Sequence, residues 1–363
     1  MNFNNFNTLS ASILLTLLMV ALADFIFSQF SWFGLIRHTG LRIHNPVYHH
    51  TLRSNLCGLD RWGGRPYPIC TNSLGFKDGS ARIVAQAPIR PRLLFIGDSF
   101  TEAIGMPWKD SFVGLYSSRL ENSEVLNAAV ASYAPSIYYT KVRHLLEQGL
   151  TFDHVIVFVD PSDIQDETHY HLSSGNNIID DRDDIETDFE LLIGQFIDNN
   201  FIAMANISDL LNAIRNPPTI QPIFANTRAS WTFTDWNDLS PHYPSMGVAS
   251  AIEKAKANMD QLYELLKSKN IRISVGVYPW PDQLNSDHVD SVHVKIWREW
   301  CTNKCSHFID TFPDFFSYKA SHPQTWYSDL YIGGDVHFSE LGNSVIAEHL
   351  RRIGPFEVDR PFQ

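Results

Sequence analysis

Leu93-Leu94-Phe95-Ile96-Gly97-Asp98-Ser99-Phe100-Thr101-Glu102 opens as an apolar run and stops at a glycine. Four consecutive apolar residues without alternation describe a strand buried on both faces, the kind found in parallel sheets. A Gly-Asp-Ser turn follows. In such sheets ligands meet the carboxyl ends of the strands, where Ser99 presents its hydroxyl and a following helix start directs N–H groups toward an anion. Ser is also a common N-cap, so the turn taken alone reads as a structural feature.

Outward from this strand the pattern repeats. A helix is expected around Ser111 to Leu120, a second strand at Val125-Leu126, a helix from Ile137 to Leu150 and a third strand over Val155-Ile156-Val157-Phe158-Val159. Later, Ala249 to Ser268 reads as a helix, Ile271 to Val277 as a strand and Ser339 to Ile353 as a closing helix. Alternation of this kind predicts an α/β protein, a three-layer α/β/α sandwich around a parallel sheet. The domain spans 91–355 and carries an insertion at about 165–247, with its own apolar helical stretch from Phe189 to Ile214. Trp231, Phe233, Trp236, His242 and Tyr243 in the insertion either line a carbohydrate groove or pack it onto the sheet.

A base for Ser99 stands far down the chain, in Gly333-Gly334-Asp335-Val336-His337-Phe338-Ser339, just before the last helix. A neutral His337 takes the Ser99 proton and returns it to the leaving group, while an ionised Asp335 fixes the ring tautomer. Two residues apart in an extended turn, Asp335 and His337 project to one side and Val336 to the other. A lone Asp-x-His is more often structural or a metal site. Paired with a strand-end Ser, it reads as catalytic.

These residues carry a resemblance. The chain resembles the SGNH (GDSL-like) hydrolases, in particular the membrane-anchored envelope branch similar to alginate and teichoic-acid O-acyltransferase-like proteins. The likeness covers about Arg92 to Gly354, interrupted by the insertion, and Thr71-Asn72-Ser73-Leu74-Gly75-Phe76-Lys77-Asp78 looks like a segment preceding the Gly-Asp-Ser strand in that branch. It implies the flavodoxin-like SGNH hydrolase fold, with Ser99 as nucleophile, His337 as general base and Asp335 as its partner. The common pattern has Asp three before His, where this chain has Gly334, so the chain is similar to the Asp-x-His variant of the acetyltransferase-like relatives. By the same likeness the oxyanion is held by the N–H groups of Ser99 and of Ser132, where relatives carry Gly, and by Ser162, which replaces an Asn amide. Asp163 is read as a cap or brace of its loop.

The remaining chain bounds the function. With 363 residues, 44% hydrophobic, and 28 Lys and Arg against 40 Asp and Glu, the chain is globular and its net charge of −12 repels phosphate backbones. No nucleic-acid partner is expected. No Gly-x-Gly-x-x-Gly or Walker motif follows a strand, so no cofactor is expected. Residues 1–36 form an N-terminal membrane anchor or signal segment: Ala21-Leu22-Ala23 offers a cleavage site, while the apolar run continues past it. No Lys or Arg precedes the run, and Arg37, Arg42 and Arg53 follow it, which opposes an outward catalytic region. A buried helix is the third reading. Residues 37–90 form a turn-rich extension holding Cys57 and Cys70. With Cys301 and Cys305 these make two local pairs, suited to disulfides in an oxidising space, to buried thiols or, with poor spacing, to zinc. His169-Tyr170-His171 sets two imidazoles on one side of a strand, but no metal site is assigned there, and neighbouring Asp166 and Glu167 are expected to be solvated. His49-His50 and Asp180-Asp181-Arg182-Asp183-Asp184 read as exposed loops. The expected function is a serine-dependent ester hydrolase acting through an acyl-serine on an envelope glycan, extracytoplasmic and membrane-anchored, or secreted if the segment is cleaved. An O-acyltransferase of the same fold and a non-catalytic glycan-binding or assembly protein are the alternatives, and envelope polysaccharide machinery is the expected partner.

Overall fold

A computed structural model describes residues 3–29, 41–62, 65–173, 175–182, 227–239, 242–243, 246–354 and 356, with isolated positions between 200 and 215. The helical stretch expected from Phe189 to Ile214 falls, apart from those positions, outside the described residues, as do Asp183 and Asp184. In chain order the strands are β1 (Arg42–Asn45), β2 (His49–Leu52), β3 (Cys57–Trp62), β4 (Arg65–Thr71), β5 (Lys77–Asp78), β6 (Arg92–Ile96), β7 (Glu124–Asn127), β8 (His154–Phe158), β9 (Tyr170–Leu172), β10 (Ile178–Asp180), β11 (Arg272–Val277) and β12 (Phe308–Asp310).

Eight of them form one sheet in the order β12-β11-β8-β6-β7-β5-β4-β3. The first five are parallel, as the apolar runs predict, and β5, β4 and β3 extend the sheet antiparallel through the pair Lys77 and Asn127. The turn-rich extension therefore adds three strands to the sheet. β6 lies between β7 and β8, so the chain leaves it toward one side and returns on the other. That reversal is the switch point of an α/β sheet, and Ser99 sits just beyond the carboxyl end of β6.

Strand periodicity divides the core in two. Leu94, Ile96, Val155, Val157, Val275 and Val277 enter one cluster, while Leu93, Phe95, Ile156 and Phe158 enter the other. Helices Pro135–Glu147, Gly247–Ser268 and Val292–Cys301 cover the first face, and Phe112–Ser117, Trp326–Leu330 and Glu340–Ile353 cover the second. This is the three-layer α/β/α arrangement. Each fully buried Leu, Ile or Phe contributes roughly 1.5–3 kcal/mol, so an acidic residue anywhere in Leu93–Ile96 would undo the central strand. Cap chemistry sets the helix starts. Ser111 Oγ accepts from Gly114 N–H at 3.0 Å, Ser339 Oγ accepts from Gly342 N–H at 3.2 Å, and Pro135 opens its helix.

Both cysteine pairs are disulfides. Cys57–Cys70 joins directly opposed positions of β3 and β4 across 13 residues, and Cys301–Cys305 spans 4 residues at the end of helix Val292–Cys301. Loop closure of the first length is worth about 3 kcal/mol in the chain-entropy account. The N-terminal helix runs from Phe3 to Gln29. Among the described residues no helix is long and apolar enough to cross a membrane; in this one the described side chains run from Ser12 to Ser28.

Candidate active site

Gly97 stands between the end of β6 and the short helix Ser99–Glu102, where there is no room for a side chain. A Cβ on Gly97 would lie 2.4 Å from Thr101 Oγ1 and 2.9 Å from the Phe158 carbonyl oxygen. Asp98 caps that helix, its Oδ1 accepting the Phe100 N–H at 3.0 Å. Across the cleft, the loop before helix Glu340–Ile353 is tied back on itself: Ile332 N–H donates to His337 O at 2.8 Å and Asp335 N–H to Ile332 O at 3.0 Å. This fold-back delivers His337 to Ser99, 238 residues away in sequence, with Nε2 2.8 Å from Ser99 Oγ.

The other ring nitrogen, Nδ1, lies 2.7 Å from Asp335 Oδ1. A carboxylate accepts, so Nδ1 carries the hydrogen and Nε2 is left to accept from the serine hydroxyl. Asp335 Oδ1 also accepts the N–H groups of Val336 (2.6 Å) and His337 (3.1 Å), and its Oδ2 accepts Trp62 Nε1–H. Burial pushes this carboxyl up, but the hydrogen bond and charge of His337, with the Trp62 bond, outweigh it and hold Asp335 below the usual carboxylate range. The imidazole is gripped between the Phe100 ring, 4.6 Å away, and the edge of Trp62, 5.1 Å away.

Ser99, Ser132, Ser162, Trp62, Trp280 and Arg228 line a cavity of about 320 Å³ together with Asp335 and His337. Ser132 has φ +65°, the left-handed region that glycine tolerates best. Its N–H, like that of Ser99, has no protein acceptor among the described residues, so both are open to an anion in the cavity. Ser162 departs from the expectation. Its hydroxyl donates to Asp160 Oδ1 at 2.5 Å and its N–H to the same oxygen at 2.7 Å, so its one hydroxyl proton is committed and it is no oxyanion donor in this arrangement. Ser162→Ala is accordingly expected to change kcat on a small aryl ester by no more than about threefold, against the roughly 10²-fold or more that losing a true oxyanion donor costs. Steady-state kinetics on the purified variant check this.

Beside Ser99 lie three buried acidic side chains, Asp98, Asp160 and Asp163. Asp160 receives Trp280 Nε1–H at 2.7 Å on Oδ2 besides the two bonds from Ser162. Burial, and then the charge of Asp160, push Asp98 well above the usual range. The Ser99 hydroxyl lies between two acceptors, Asp98 Oδ2 at 3.0 Å and His337 Nε2 at 2.8 Å. Asp163 braces its loop, accepting Tyr138 OH at 2.7 Å and Asp160 N–H at 3.1 Å.

Several surroundings differ from expectation. Asp166 and Glu167 are buried rather than solvated: Asp166 pairs with Arg182 and Arg228, and Glu167 accepts Ser136 N–H at 2.5 Å and Asn258 Nδ2–H at 3.1 Å. Burial pushes Glu167 up to about 7. Its contribution to stability is fully present below about 4.5 and is lost as the pH rises to about 7, a fall of the order of 3 kcal/mol. Urea unfolding at pH values on either side of that window should show the drop, and Glu167→Gln should flatten it. His169 Nδ1 lies 2.7 Å from Asp181 Oδ1, and with Asp180 these residues stand at metal-holding spacing, but Arg182 already engages both Asp180 oxygens. Asp180 is buried and His50 half-buried, where the sequence reads exposed loops. Trp231 and Tyr243 are buried, Trp231 Nε1–H donating to Pro161 O at 2.8 Å, so they pack the insertion down. None of the five aromatic candidates lines the cavity, whereas Arg228, from the same segment, does. Trp62, Trp280 and Arg228 carry no motif in the sequence and reach the site only through tertiary contacts.

No family model and no curated relative matches the chain. Among solved structures it is similar to an acetylxylan esterase from Geobacillus stearothermophilus, with 13% identity over 76% of this chain and 100% of that one and a TM-score of 0.40. The psychrotrophic esterase EstA from Pseudoalteromonas sp. gives 11% identity over 72% and 94% of the two chains and a TM-score of 0.38. A member of the lipolytic protein G-D-S-L family from Veillonella parvula gives 10% identity over 72% and 97%, with a TM-score of 0.38. At such values the chemistry has to be read from the chain's own atoms.

Proposed function

We propose that the protein is a serine-dependent ester hydrolase of the SGNH type, working through an acyl-Ser99 intermediate. The observation that carries this is the relay Ser99 Oγ to His337 Nε2 at 2.8 Å and His337 Nδ1 to Asp335 Oδ1 at 2.7 Å, facing two open backbone N–H groups. His337 takes the hydroxyl proton as Ser99 Oγ attacks the ester carbonyl, the N–H groups of Ser99 and Ser132 hold the oxyanion, and the proton passes to the departing alkoxide. Water, activated by the same ring, then releases the acid.

The cavity of about 320 Å³ suits a short acyl group with part of its alcohol. An acylated envelope glycan is the proposed substrate, and membrane attachment outside the cytoplasm the proposed setting. Two observations support that setting. Leu14, Leu15, Leu17, Leu18 and Met19 are each about 60% exposed on the N-terminal helix, an apolar surface that water does not favour, and both cysteine pairs are oxidised. Transfer to a sugar hydroxyl is the second reading, since an acceptor bound in place of water meets the same acyl-serine. A small aryl ester assayed with and without an added oligosaccharide separates the two. Acid released in water alone supports hydrolysis, product formed only with the acceptor supports transfer, and a folded protein inactive in both leaves a binding protein.

A further inference from the structure

The oxyanion donor Ser132 is held by a part of the chain that the catalytic motifs do not include. β1 and β2 form a hairpin from which His50, at the start of β2, reaches the loop 128–133. His50 Nε2 lies 2.7 Å from the Ala131 carbonyl oxygen, and His50 Nδ1 lies 2.6 Å from His49 Nδ1. A carbonyl only accepts, so Nε2 of His50 carries a hydrogen. Burial, partly offset by the Ala131 bond and joined by the charges of His49, Lys141 and Arg42, pushes His50 down to about 3, so the ring is neutral. Its Nδ1 is then bare and accepts from the Nδ1–H of His49. Two donations run in one direction, from His49 to His50 to Ala131.

The Ala131 carbonyl and the Ser132 N–H belong to one planar peptide group. Fixing the oxygen fixes where the N–H points, and a hydrogen bond to the oxygen polarises the N–H as a donor. The loop is clamped at neighbouring atoms as well: Ala131 N–H donates to Glu102 Oε2 at 2.7 Å, Tyr170 OH to Ser132 O at 2.6 Å, and Tyr133 OH to His50 O at 2.6 Å. Ser132 at φ +65° and His49 at φ +74° both occupy the left-handed region, which residues bearing a Cβ adopt uncommonly. We propose that the His49–His50 pair is the positioning device of the oxyanion site: His50 aims the Ser132 N–H through the Ala131–Ser132 peptide, and His49 fixes the tautomer that lets it do so. The proposal rests on the acyl-serine reading of Ser99.

The test uses the full chain and a small aryl ester. His50→Leu removes the donor and should lower kcat roughly 10- to 100-fold with KM within about twofold, less than outright loss of an oxyanion donor. His50→Gln offers an amide N–H at similar reach and should recover most of that loss, which a purely structural role would not predict. A folded His50→Leu with parental kcat, or a His50→Gln no better than His50→Leu, overturns the proposal. Should His50→Leu fail to fold, selective ¹⁵N-histidine NMR of the parent decides, with His50→Gln assigning the signal: a neutral His50 protonated on Nε2 supports it, and protonation on Nδ1 or on both nitrogens at neutral pH overturns it. A parent that neither turns over nor reacts with a fluorophosphonate sinks the acyl-serine reading, and the tautomer measurement then still decides whether the peptide is pinned as described.

Discussion

Ser99→Ala should remove aryl-ester turnover, with kcat falling on the order of 10⁴-fold or more while the fold is kept. The side chain is small and sits at a helix start capped by Asp98, so the lost hydroxyl leaves the cap bond to Phe100 N–H in place. What is lost is the atom 2.8 Å from His337 Nε2, without which no covalent intermediate forms. Circular dichroism and thermal unfolding of the variant should match the parent, and kinetics should find only the background that binding and the two N–H groups supply. A Ser99→Ala preparation with parental kcat would end the covalent mechanism.

Asp335→Asn should be nearly as severe, a fall of roughly 10³- to 10⁴-fold in kcat. Asp335 receives His337 Nδ1–H on Oδ1 and Trp62 Nε1–H on Oδ2, so both of its oxygens accept. An amide at this position has one acceptor for two donors. If its oxygen faces His337, its NH2 opposes the Trp62 N–H; if it flips, the NH2 faces Nδ1, which must then accept, and the ring proton moves to Nε2 where it cannot take the serine hydrogen. The same atoms carry a second expectation: Trp62→Phe, which removes the competing donor, should be mild alone and should restore part of the activity of Asp335→Asn. Steady-state kinetics of the two single variants and the double variant give the coupling.

The elements that sequence periodicity reports most directly are those buried on both faces or amphipathic at helical spacing. β6, β8 and the helices Pro135–Glu147, Gly247–Ser268 and Glu340–Ile353 lie within a few residues of where their apolar patterns put them. Ser99, Asp335 and His337 are legible because each stands in a short local motif, and the parallel sheet explains how the two motifs meet. The antiparallel edge is not, since β3–β5 join the sheet through one pair, Lys77 with Asn127, set by chain path rather than by local composition. Ser162 shows a different limit. Its residue type permits a donor to the oxyanion, but where a hydroxyl proton goes is decided by the nearest acceptor, and Asp160 Oδ1 lies 2.5 Å away. Asp166 and Glu167 read as solvated because charge is usually exposed; their partners Arg182, Arg228, Ser136 and Asn258 come from positions well separated along the chain. Trp62 reaches Asp335 across 273 residues for the same reason.

Labelling with a fluorophosphonate, followed by peptide mass mapping, tests the central claim most directly because it reports an activated serine without requiring the natural substrate. A single adduct on the peptide containing Ser99, absent from Ser99→Ala and formed far more slowly by His337→Ala, is the predicted result. A folded parent that takes up no label, or one labelled to the same extent after Ser99→Ala, would contradict the assignment of Ser99 as the nucleophile.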